Sequence, residues 1–92
     1  RRGRIHSAHT IRDGFGEIIE AVAMETTSLV GVPLKETELP ENVLVGAIVR
    51  ADDVIVPRGE TIIQANDRVI LFAAADAVRD VEKIFSVGLE YF

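Results

Sequence analysis

Gly46-Ala47-Ile48-Val49-Arg50, the turn Ala51-Asp52-Asp53, the run Val54-Ile55-Val56-Pro57-Arg58-Gly59-Glu60-Thr61 and then Asp67-Arg68-Val69-Ile70-Leu71-Phe72 form the stretch that decides the fold. Two β-branched runs are parted by an acidic turn, a Pro-Arg-Gly corner closes the second, and a polar Ala65-Asn66-Asp67 corner launches a third. The spacing predicts a hairpin of Val43 to Arg50 with Val54 to Val56 around Asp52-Asp53. Arg68 to Ala74 follows as a nearly continuous apolar run, the pattern of a central strand buried on both faces.

Upstream, Ile5, Ser7, His9 and Ile11 alternate with His6, Ala8 and Thr10, which predicts another strand. Asp13-Gly14 is a turn signal, and Glu17 to Met24 alternates again, so a second hairpin is expected. Its apolar face is read as Ile18, Val22 and Met24, interrupted by Glu20 near an edge or paired with an Arg. Pro33 to Leu39 suits a short helix, with Pro in its first turn and Pro40 ending it. Leu34 and Leu39 would cap the sheet.

Downstream, Ala77 to Phe85 is amphipathic: Val78, Val81, Ile84 and Phe85 fall on one face, and Arg79, Asp80, Glu82 and Lys83 on the other. Asp76 is the expected N-cap. Such a helix must cover a sheet. The predicted class is therefore α+β, a small, mostly antiparallel or mixed sheet with helices on one face.

At 92 residues and 48% hydrophobic, the chain has the material for one small core. It has no cysteine, which excludes a disulfide framework and thiolate metal sites. No apolar run approaches the roughly 20 residues that span a bilayer. The chain begins at Arg1 and is read as a piece of a longer protein.

Of the ten bases, Arg1, Arg2, Arg4 and Arg12 lie in residues 1–12 without an acid; the rest of the chain sets six bases against fifteen acids. An acidic body repels phosphate backbones, so no nucleic-acid partner is expected. The basic segment reads as an exposed lead-in, the alternatives being contact with anionic lipid heads or an acidic partner. The domain division follows: 1–14 a lead-in with a strand, 15–92 the folded domain.

Catalytic constellations are thin, and no enzyme is expected. His6 and His9, three apart on a strand, point to opposite faces and lack a third ligand, so no metal site is expected. Asp52-Asp53 is explained by turn chemistry. Glu36, Glu38 and Glu41 read as a solvated face, and Ser28 has no nucleophile-elbow glycines. Gly14-Phe15-Gly16 precedes a strand rather than a helix and offers no phosphate cradle.

Arg50 and Arg58, flanking the hairpin, are the candidate ligand-binding residues, because an exposed guanidinium can hold a carboxylate or phosphate bidentately. The competing reading pairs each with a local acid: Asp52, Asp53, Glu60 or Asp67. The tail Val87-Gly88-Leu89-Glu90-Tyr91-Phe92 alternates apolar residues where a terminus is usually polar. It packs on its own domain or, in the second reading, Leu89, Tyr91 and Phe92 form a dimer interface.

This order of strands and corners, with Glu17-Ile18-Ile19-Glu20-Ala21, Thr27-Ser28-Leu29-Val30-Gly31, Pro33-Leu34, Leu39-Pro40 and the tail, resembles the TrkA-C (RCK-C) family over roughly residues 15–92. Asn66 departs from it, standing where the family more often has Gly before Asp-Arg-Val. Asn tolerates a left-handed backbone, so the corner is expected to survive.

The resemblance implies a non-catalytic regulatory domain of bacterial potassium uptake, in the cytoplasm and peripheral to the inner face of the plasma membrane through a partner. It implies pairing with a second copy and action on a membrane potassium channel subunit. Some relatives hold a small anionic effector at their paired interface. A nicotinamide or adenine nucleotide would belong to a preceding nucleotide-binding domain, leaving no cofactor in this segment. The alternative is a sensor module of another transporter, a cation/proton antiporter or an anion permease.

Overall fold

In the computed structural model, which describes residues 5–86, five strands form one antiparallel sheet. They are β1 (Ile5–Thr10), β2 (Gly16–Val22), β3 (Val43–Arg50), β4 (Asp53–Ile55) and β5 (Arg68–Ala74), in the spatial order β1-β2-β5-β3-β4. One α-helix, α1 (Val78–Phe85), follows the last strand. The α+β expectation holds, with every strand pairing antiparallel.

The predicted hairpin is present. Arg50 pairs with Asp53 across a two-residue turn in which Ala51 takes φ 52°. Strand β5 is central, between β2 and β3, yet only alternate residues are buried: Val69, Leu71 and Ala73 face the core, whereas Phe72 is exposed. Its apolar continuity therefore reflects one covered face and one open apolar face, rather than cover on both.

The face assigned to β2 is also corrected. Ile19 and Ala21 are fully buried, continuing to Ala23, while Ile18, Glu20 and Val22 lie on the opposite face. Apolar residues occupy both faces of this strand, so alternation alone could not choose between them. Glu20 does pair with an arginine, Arg68 on β5, at 3.8 Å.

Strand β1 is an integral edge of the sheet, paired with β2 from Ile5 to Thr10. A division at residue 14 thus falls inside a hairpin. Asp13 (φ 65°) and Gly14 (φ 74°) make its turn, closed by Ile11 N–H donating to Gly16 O at 2.7 Å.

Residues 33–39 form less helix than expected, a single 3-10 turn over Leu34–Glu36, though Leu34 and Leu39 pack against the core as predicted. The Asp76 cap is not made. A 3-10 turn, Ala75–Ala77, leads into α1, which has no side-chain cap hydrogen bond.

Val81 and Phe85 of α1 are fully buried with Ile19, Leu29, Ile48, Ile63, Val69 and Leu71, one contiguous cluster. Each such side chain contributes about 1.5–3 kcal/mol on burial. The other sheet face carries a row across β2, β5 and β3: Ile18 pairs with Phe72, and Phe72 with Leu44. At Gly46 the β3 register slips between Val45 and Ala47. A Cβ there would collide with the Phe72 ring, so this glycine makes room for the phenyl ring at the bulge.

Candidate functional site

Charged side chains gather at two corners of the sheet. The first lies where β5 begins. Asp67 N–H donates to Gln64 O at 3.1 Å, closing a turn in which Asn66 takes φ 76°. The left-handed position at the third turn residue is where glycine is the usual occupant, and asparagine fills it here. Asn66 N–H donates to Ala23 O at 2.7 Å and Ala23 N–H to Asp67 O at 2.9 Å, which ties the turn to the end of β2.

Asp67 is only 2% exposed. Arg50 donates from Nε to its Oδ1 at 2.9 Å and from Nη2 to its Oδ2 at 2.8 Å, a fork matched to a carboxylate. The same Nη2 donates to Ile62 O at 3.0 Å, and Gln64 N–H donates to Oδ2 at 2.8 Å. Burial pushes the Asp67 carboxyl up, but the Arg50 hydrogen bonds, the Gln64 N–H and the Arg50 charge together hold it below its ordinary range. Arg50 is raised, chiefly by its bond to Asp67. Of the two readings of Arg50, the geometry displays pairing with a local acid.

The second corner follows β4. Thr61 N–H donates to Arg58 O at 3.1 Å, and Thr61 Oγ1 accepts from Arg58 N–H at 2.9 Å. Residues 30–36 run alongside: Gly31 N–H donates to Ile63 O, Leu34 N–H to Thr61 O and Lys35 N–H to Gly59 O, at 3.0, 2.8 and 3.0 Å. Between this strip and β3 lies an open cavity of about 300 Å³, walled by Leu34, Leu39, Leu44, Val45 and Pro57.

Lys35, Arg58 and Gly59 complete its lining. The Lys35 stem passes over Gly59, in ordinary contact distance of where a Cβ would stand, and its ammonium meets Glu60 at 2.5 Å. Arg58 is exposed and makes no ion pair with a described residue. An apolar wall with two cations at its mouth suits an anion that carries an apolar body.

The two sequence candidates are therefore not brought together: Arg58 lines the cavity and Arg50 does not. Lys35 escaped sequence reading because only main-chain pairing between 30–36 and 59–63 brings it there. His9 is exposed and stands across from Ile18. Among the described residues no three His, Cys, Asp or Glu cluster to hold a metal, and no helix is long and apolar enough to cross a membrane. Leu89, Tyr91 and Phe92 lie outside the described residues.

Residues 18–86 match the model of the TrkA-C domain. Over all 92 residues the chain is 50% identical to the Trk system potassium uptake protein TrkA of Azorhizobium caulinodans, covering 20% of that protein. It is 47% identical over 81 residues, 88% of this chain and 18% of the relative, to TrkA homolog 2 of Methanosarcina mazei. The chain thus spans about a fifth of the length of these relatives. Among solved structures, one described as "Structure of RCK domain with cda" superposes with a TM-score of 0.64 at 22% identity, covering 75% of this chain and 97% of the other, a likeness of fold. Strand order, corners and sequence agree, and the chain belongs to the TrkA-C domain family.

Proposed function

We propose that this domain is a non-catalytic regulatory module of a potassium uptake system. It sits in the cytoplasm beneath the membrane, pairs with a second copy, and binds a small anionic effector at the cavity beside Arg58. Its state is passed to a membrane potassium channel subunit, together with that of a nucleotide-binding domain elsewhere in the parent protein. The observation that carries this reading is the 50% identity, across the whole chain, to a potassium uptake protein.

Pairing is supported by the uncovered row Ile18, Phe72 and Leu44, beside which Glu20 and Arg68 place opposite charges on one face. A surface carrying both signs can complement a copy of itself. Light scattering of the 92-residue chain tests this, and a clean monomer at high concentration counts against pairing. Regulation requires the effector to bind two arrangements of the pair with different affinity.

The decisive experiment is potassium uptake in cells lacking their own low-potassium uptake, given the membrane subunit and the parent protein with or without this segment. Uptake that depends on the segment is expected. If the intact parent restores none, the potassium assignment fails and a module of an antiporter or an anion permease takes its place.

A further inference from the structure

Lys35 is held at the cavity mouth by its main chain, through the bond from its N–H to Gly59 O, and by its stem lying over Gly59. Only its ammonium is free to choose a partner. In the structure that partner is Glu60, next in sequence to the lining residue Gly59 but not itself lining the cavity. Both side chains are solvent-exposed, so the pair is weak and exchangeable.

We propose that Glu60 is a built-in competing anion, occupying Lys35 until an anionic ligand displaces it. This rests on the reading of the cavity as an anion site. With Glu60 in place, Lys35 is neutralised locally and Arg58 alone attracts the ligand. A ligand with one negative group is served by Arg58 and leaves the Lys35–Glu60 pair standing. A ligand with two must reach Lys35 as well, and binds only as Glu60 swings out to water. Glu60 thereby raises the threshold for multiply charged apolar anions, which must displace it, and leaves singly charged ones at Arg58 little affected.

The probe for a test is 8-anilinonaphthalene-1-sulfonate, an aromatic body with one anionic group, set against its dimer bis-ANS, which carries two. Fluorescence titrations are run on the 92-residue chain and on Arg58→Gln, Lys35→Gln, Glu60→Gln and the double variant Lys35→Gln/Glu60→Gln, with thermal melts to show that each is folded. Arg58→Gln is expected to weaken both probes. Glu60→Gln is expected to tighten bis-ANS about two- to five-fold, the range of an exposed ion pair, and to tighten the single-sulfonate probe less. In the Lys35→Gln background that gain should vanish.

If Arg58→Gln changes neither probe, the anion site itself fails. If Arg58→Gln weakens binding while Glu60→Gln leaves bis-ANS unchanged, or tightens it equally with and without Lys35, the site stands and the competing role of Glu60 is overturned.

Discussion

The corner at Asp67 and the corner at Arg58 use the same chemistry to opposite ends. Each joins a cation to a carboxylate beside a tight turn. At the first, the acid is buried, forked by Arg50 and bonded by the Gln64 N–H. At the second, Lys35 and Glu60 meet in water and Arg58 stands open. Burial decides the difference: a sequestered carboxylate needs all its partners, whereas a solvated one can trade them.

Removing the buried acid should separate the corners most sharply. Asp67→Ala strips Arg50 and the Gln64 N–H of their acceptor, and is expected to cost about 2–4 kcal/mol of unfolding free energy in urea. Arg50→Met, which strands the carboxylate, should also destabilise the domain, and more at pH 7 than at pH 3. A change at Asp67 that leaves the urea midpoint in place would erase the contrast.

Acid provides the next test. The folded Asp67 carboxyl lies below its ordinary value of 3.8, so its contribution is complete above that pH and is lost as pH falls through the folded value. The stability gap between the wild type and Asp67→Asn should be flat near neutrality and narrow below about pH 4. A gap that narrows only above pH 5 would mean that another group carries it.

The smallest effect belongs to the open corner. Lys35→Gln or Glu60→Gln should alter stability by less than about 1 kcal/mol, with any loss shrinking as salt is raised. A larger, salt-resistant loss would make this pair structural, like its buried counterpart.

Local chemistry explains what could be read in advance. The β3–β4 hairpin, the amphipathic face of α1 and the left-handed Asn66 are set by residues close in sequence, and each appears where expected. The covered face of β2 was misread because alternation counts two faces without telling which one α1 lies on. The small residues Ala21 and Ala23 were the usable sign, since a helix close over a sheet needs room. Asp67 was one of several acids within reach of Arg50, and its burial, invisible in sequence, singles it out. Lys35 and Gly59 meet through main-chain bonds that no side-chain pattern encodes.

The strand order also has a consequence for synthesis. Strand β5, the last in sequence of the five described strands, sits between β2 and β3, and without it the sheet falls into two hairpins, β1–β2 and β3–β4, that share no ladder. Both must wait on the ribosome until residue 74 has emerged, and an isolated two-stranded hairpin is marginal in water. Closure of the sheet is then a single late event that joins distant segments at once, so a truncation before β5 should yield an unfolded chain rather than a smaller domain.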